Sequence, residues 1–146
     1  SGITFLISSI DGSVRILKET GSPFLTSRTF NIEIIFEIFW RKSYSLKSTL
    51  PIVFEGGSDW DYTIISPVAS QLCNYFKKPT FIFKKLKHES QGTVRSTHNI
   101  DSVALMENCK EYVITYGGHA QASGFRVKNE NLEKFKNCLI KNTSNL

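Results

Sequence analysis

Cysteine is scarce in this chain. Cys73, Cys109 and Cys138 are odd in number and far apart, and no pair has the short spacing that zinc sites use. They read as small buried thiols in a reducing compartment. No apolar run reaches the length needed to span a bilayer. The opening SGITFLISSIDGS lacks the basic segment of a secretory signal. A cytoplasmic location with no membrane contact is therefore expected. There is no internal repeat and no low-complexity tract. No Ser-His-Asp or Cys-His set is suggested, which leaves out those forms of nucleophilic catalysis. An initiator methionine is also missing, as in a piece of something longer.

What is present suits a globular domain. The 146 residues are 40% hydrophobic and 21% charged, enough to bury a core without staples. Eleven phenylalanines against two tryptophans suggest a Phe-rich core. The formal charge of +5 fits either a polyanionic partner or a solvated lysine-rich surface.

Along the chain, Asp11-Gly12 lies between two β-prone runs and reads as a hairpin turn, although SVRILKET could also open a helix capped by Ser13. Gly21-Ser22-Pro23 is a break. FNIEIIFEIFWRK has helical spacing at Ile32, Ile35, Phe36, Phe39 and Trp40. Pro51 to Phe54 is a short buried strand ended by Gly56-Gly57. TIISPVASQLCNYF is a helix. Pro67 is tolerated in a first turn, which puts the start near Ile65 or Ser66, with Lys77 and Lys78 in the last turn. Thr80 to Phe83 and Gly92 to Arg95 are neighbouring strands. Asn99 opens a helix through DSVALMENCKEYV. Gly124 to Val127 is a strand. Asn129 or Asn131 opens a last helix with Leu132, Phe135 and Leu139 on one face, and Glu130 and Lys134 able to pair on the other. Helices alternating with short strands define an α/β domain.

Three stretches could carry chemistry. In YGGHAQASGF, Gly117 and Gly118 permit positive φ and close approach to the main chain, and His119 can add a hydrogen bond to an anion. The same residues also fit a helix C-cap at Gly117 followed by a surface histidine. Gly92-Thr93-Val94-Arg95-Ser96 supplies a guanidinium and a hydroxyl at a strand end, suited to phosphate or to a structural salt bridge. SPVASQL opens a helix with small residues, which suits close packing or an anion near its start.

In this order and spacing the three stretches resemble the DHHA1 module in the C-terminal half of RecJ-type single-stranded-DNA exonucleases. The family's W-H-x-G-V-I-G-I-V-A-S-R-L is similar to Trp60 through Leu72, followed by Lys78-Pro79 and TFIF. Its G-S-x-R-S resembles Gly92 to Ser96, and its G-G-H-x-x-A-x-G-F matches Gly117 to Phe125 at each fixed position. The resemblance runs from about Pro51 to Leu139.

The resemblance implies an α/β DHHA1-type domain over 49–146, with a small mixed sheet flanked by helices. Residues 1–48, which the resemblance covers poorly, would be a partly helical segment, either a connecting element or one special to this protein. It implies that single-stranded DNA or RNA binds in a cleft facing a DHH domain. Arg95 and Ser96 would contact phosphate or a terminal nucleotide, and Gly117, Gly118 and His119 would line the phosphate's place, with Gly92 in the same block. Lys84, Lys85 and Arg126 would add secondary charge, alongside Lys77, Lys78, Lys87 and Lys128. Tyr62, Tyr75 and Tyr116 could stack on bases or pack in the core.

Departures from the family weaken one end of the site. Its histidine after tryptophan is Asp61, two of its glycines are Thr63 and Ser66, and its arginine is Gln71. Fewer cations mean weaker phosphate attraction there. The Asp-His-His motif of DHH enzymes is missing. Manganese or magnesium is thus expected only in a DHH domain outside this chain, and no catalytic or metal-binding residue is assigned. Asp59 and Asp61 have no third ligand nearby in sequence, and His88 and His98 read as surface residues. Such a chain alone would not hydrolyse DNA. Three roles follow. It could be a nucleic-acid-binding module, a nuclease-defective scaffold that meets GINS or other replication proteins, or the accessory half of an active exonuclease or oligonucleotide phosphodiesterase.

Overall fold

The computed structural model describes residues 5–10, 13–18 and 49–146. Strands β1 (Phe5–Ile10) and β2 (Ser13–Lys18) pair antiparallel with Ile10 opposite Ser13. SVRILK is therefore a strand, the hairpin alternative. The helix expected over FNIEIIFEIFWRK and the Gly21-Ser22-Pro23 break lie outside the described residues.

The main sheet has five strands. They are β3 (Val53–Gly57), β4 (Thr80–Lys85), β5 (Glu89–Arg95), β6 (Val113–His119) and β7 (Ala122–Lys128), in the order β3-β4-β5-β7-β6. β3 and β4 run parallel, and the remaining pairs are antiparallel. A parallel pair needs a crossover, and helix α1 (Tyr62–Phe76) supplies it. Helices α2 (Ser102–Glu107) and α3 (Leu132–Ser144) complete the domain. This is the mixed α/β sheet that the sequence implied.

Two apolar layers hold the sheet. On one face, Ile65, Val68, Ala69 and Leu72 of α1 meet Val53 and Ile82. On the other, Phe54, Phe81, Phe83 and Phe125 meet Phe135 and Leu139 of α3 with Leu105 and Met106 of α2. The phenylalanine-rich core is realised here. Phe135 packs its ring 5.4 Å from Phe125, 6.0 Å from Phe54 and 6.2 Å from Phe81, in tilted and edge-on arrangements. β4 is buried on both faces, which is why Thr80 to Phe83 reads as an unbroken run. β5 alternates, with Val94 in the phenylalanine layer and Thr93 and Arg95 turned to the α1 side.

Four helix ends differ from expectation. α1 begins at Tyr62, a turn earlier than Pro67 suggested. Asp61 caps it, with Oδ1 accepting from the Thr63 amide at 2.8 Å and from the Thr63 hydroxyl at 2.9 Å. Pro67 then stands inside the helix. The carbonyl it leaves unmatched, four residues back, belongs to exposed Thr63, where water can replace the lost donor. α1 ends on Lys77 in the left-handed region (φ 56°), whose amide donates to the Cys73 carbonyl at 2.9 Å. Lys77 and Lys78 therefore lie beyond the last turn, not in it. α2 is capped by Asp101, not Asn99, through the Val103 and Ala104 amides at 2.9 and 3.1 Å. It stops at Glu107, and Val113, expected in the helix, opens β6.

The cysteines also depart from expectation. Cys109 and Cys138 form a disulfide that ties the chain after α2 to α3, with Cα atoms 5.9 Å apart. Only Cys73 among the described residues is a free thiol. Burial pushes that thiol's pKa up, while the charges of Lys77 and Arg95 pull it down.

Candidate functional site

The stretch YGGHAQASGF is a β-hairpin, not the C-cap of a helix. Gly117 and Gly118 lie in β6, and His119 pairs with Ala122 across the turn. Val113, Ile114 and Thr115 give β6 its extended preference. Gly118 has φ +132°, and a Cβ there would sit 2.7 Å from the Ala122 carbonyl oxygen and from Ser123 Cα, so only glycine fits. Gly117 is different. A Cβ there would meet nothing within 4 Å. The domain itself has no need of glycine at that position.

Strand register brings the two separated motifs together. Ala122 lies opposite Arg95 on one side and His119 on the other, so all three form one row at the end of the sheet. Arg95 and His119 are two strands apart, about 10 Å. Gly117, Gly124 and Thr93 form a parallel row on the same face. Helix α1 packs on β4 and β5. Beside it, the β7–β6 face carries exposed Gly117, His119 and Ala122. Ser66 on α1 donates to Thr93 at 3.5 Å, joining the helix wall to this floor. The exposed β7–β6 face thus lies beside α1, with Gly117 and Gly124 in one row and Arg95 in the next.

Arg95 is held in place. Its Nη1 donates to Thr93 Oγ1 at 2.8 Å and to the Val94 carbonyl at 2.9 Å. Among the described residues no carboxylate pairs with it. Its remaining N–H groups can therefore grip an anion. Thr93 was not singled out by sequence, yet it orients Arg95 and touches α1. The alternation of GTVRS puts Thr93 and Arg95 on one face, and that was the available signal.

The other candidates occupy different positions. The Ser96 hydroxyl donates to the Ile100 carbonyl at 2.7 Å, and its amide donates to the Gln121 carbonyl at 3.0 Å. Its proton is committed to shaping the loop after β5. Gly92 turns toward the core, where a Cβ would meet Phe83 and Phe125 at 2.6 and 2.9 Å. Lys84 and Arg126 share a row with Gln91. That row is four residues from Arg95, about 14 Å along β5. Arg126 is bound by Glu89 through three contacts of 2.7–3.0 Å, so its charge is matched. Lys84 Nζ lies 5.2 Å from the centre of the Tyr62 ring, a cation–π contact. Lys85 is exposed on the opposite side of β4. Tyr62 and Tyr75 are exposed, whereas Tyr116 packs against the phenylalanine core.

The departures near α1 have structural explanations. Asp61 caps the helix, and Thr63 is its immediate partner. Among the described residues no three His, Cys, Asp or Glu side chains gather as a metal site. The described residues do not supply the ligand set of a DHH enzyme's metal centre. No helix among the described residues is long and apolar enough to cross a membrane.

The main domain is a βαβ unit extended by antiparallel strands, with Arg95 and the Gly-Gly-His stretch at one sheet end. Residues 48–145 match the DHHA1 domain family, and the chain belongs to it. The proteins it is similar to include RecJ exonucleases. The single-stranded-DNA-specific exonuclease RecJ of Bacillus subtilis (strain 168) is 25% identical over 96 residues, 64% of this chain and 12% of that protein. RecJ of Thermus thermophilus, solved with Mn2+, superposes with a TM-score of 0.66 at 20% identity, over 80% of this chain and 18% of the other. An exonuclease RecJ bound to manganese gives 0.66 at 20% identity, over 80% and 30% of the two chains. The chain thus spans about an eighth of the length of the curated relative it matches.

Proposed function

We propose that this domain binds the phosphate backbone of single-stranded nucleic acid on the open face of β7 and β6, beside the Arg95 end of β5. Arg95 is the principal anion contact, His119 is a second, and the main chain at Gly117 is the floor on which the strand lies. The observation that carries this is Gly117 itself. It is a glycine with empty space over it, one row from the end of the sheet that holds an arginine without a carboxylate partner among the described residues. The RecJ relative named for single-stranded DNA supports the choice of polymer. The domain would act as the accessory half of a metal-dependent exonuclease, presenting substrate to a DHH domain that supplies the chemistry. Its own residues bind and orient.

Fluorescence anisotropy with a labelled single-stranded oligonucleotide tests this. Replacing both Arg95 and His119 with alanine should weaken binding more than tenfold at low salt. It should also reduce the slope of log affinity against log salt by about one. Unchanged affinity and slope in the double variant would remove the assignment.

A further inference from the structure

The loop after β5 carries a second imidazole to the same end of the sheet. His98 lies between Ser96 and the cap of α2, and it is exposed. The Gln121 side-chain nitrogen sits 2.7 Å from His98 Nδ1. Gln121 is the second residue of the β6–β7 turn, between His119 and Ala122, and Ala122 faces Arg95. The turn itself is fastened. The Ser96 amide donates to the Gln121 carbonyl at 3.0 Å, and the Ser102 amide donates to the Ala120 carbonyl at 2.8 Å. His98 is therefore fixed to the hairpin that bears the Gly-Gly-His motif, although 20 residues separate the two histidines in sequence.

The hydrogen bond also fixes the ring's chemistry. An amide nitrogen can only donate, so Nδ1 accepts. The ring proton then sits on Nε2, on the side away from Gln121. No partner among the described residues takes that proton. We infer that His98 is a further phosphate-contacting residue of this face, donating through Nε2–H to the backbone of the bound strand, with Gln121 as the residue that sets its tautomer. This rests on the nucleic-acid reading above and extends the contact set beyond Arg95 and His119. With Nδ1 accepting from Gln121, what His98 offers is one directed N–H bond, not a second guanidinium.

That difference makes the test specific. The chain is titrated with a fluorescein-labelled single-stranded oligothymidylate over a range of salt, with thermal unfolding of each variant measured alongside. His98→Ala should lose about tenfold in affinity, the scale of one hydrogen bond to a charged group. Its salt slope and melting temperature should match those of the parent. His98→Gln can place an amide N–H near the Nε2 position and should recover most of the loss. Arg95→Ala, in the same series, should weaken binding and flatten the salt slope. If Arg95→Ala weakens binding and His98→Ala does not, His98 is not a contact and the face still binds. If neither weakens binding, the face is not a nucleic-acid interface and both assignments fall. If His98→Ala weakens binding but also lowers the melting temperature and glutamine does not restore it, His98 is a loop fastener and the inference is overturned.

Discussion

The two glycines of the hairpin should respond oppositely to the same added methyl group. Gly118 stands at φ +132°, where an L-residue costs on the order of 1–3 kcal/mol of backbone strain. Its new Cβ would also lie 2.7 Å from the Ala122 carbonyl oxygen and from Ser123 Cα, backbone atoms that cannot swing aside. Gly118→Ala should therefore lower the melting temperature by about 10 °C or more, taking roughly 4–8 °C per kcal/mol for a domain of this size. Gly117→Ala meets nothing within 4 Å. Alanine also restricts the unfolded chain, so stability should hold or rise by up to about 1 kcal/mol. Binding should reverse that order. The methyl group at Gly117 stands where the nucleic-acid backbone is proposed to lie, and oligonucleotide affinity should fall by about tenfold, the scale of one contact to a charged group. Thermal melts followed by circular dichroism and anisotropy titrations on the same preparations measure both effects. Equal destabilisation by the two substitutions would refute the claim that Gly117 faces open space. A stable Gly117→Ala variant with unchanged affinity would refute the claim that the space is for a ligand.

Two further outcomes follow from the core and the cross-link. Phe135→Ala removes the ring that touches Phe54, Phe81 and Phe125, and should cost about 3–5 kcal/mol in urea unfolding, with no recovery on adding oligonucleotide at low concentration. Reducing the Cys109–Cys138 bond frees a 29-residue separation, worth about 3–4 kcal/mol by loop-closure entropy. At the same roughly 4–8 °C per kcal/mol, melts with and without a dithiol should differ by about 12–32 °C. The same melts on Cys109→Ser should show no dependence on the dithiol.

Much of the fold was legible because single patterns decide it. Phe81 to Phe83 form a short run buried on both faces, and the surplus of phenylalanine over tryptophan predicts the cluster around Phe135. The α3 face was readable from Leu132, Phe135 and Leu139 because helical spacing needs no neighbour to interpret it. The start of α1 was not. Pro67 is a strong breaker in sequence, but its penalty depends on whether the orphaned carbonyl is wet, and exposure of Thr63 is a tertiary fact. The hairpin was misjudged for a related reason. Glycine pairs weaken strand propensity, and only pairing with Ala122 to Arg126 holds Thr115 to His119 extended. The Cys109–Cys138 bond depends on how the chain after α2 meets α3, which spacing alone does not encode. The site was half visible. Arg95 and His119 were readable as motifs, and Thr93 from the alternation of GTVRS, whereas Gln121 and the separation of Arg126 from Arg95 appear only with strand register.

The disulfide has a topological consequence. Cys109 precedes β6 and Cys138 lies within α3, so the bond closes a covalent ring around both strands of the hairpin and its turn. A protease that cut once within this ring would open the backbone without releasing either end. β7 and the far half of α3 would stay tethered to the rest of the domain at concentrations no free fragment could reach. The hairpin that presents Gly117 and His119 is thus the segment of the domain that a single backbone break cannot shed.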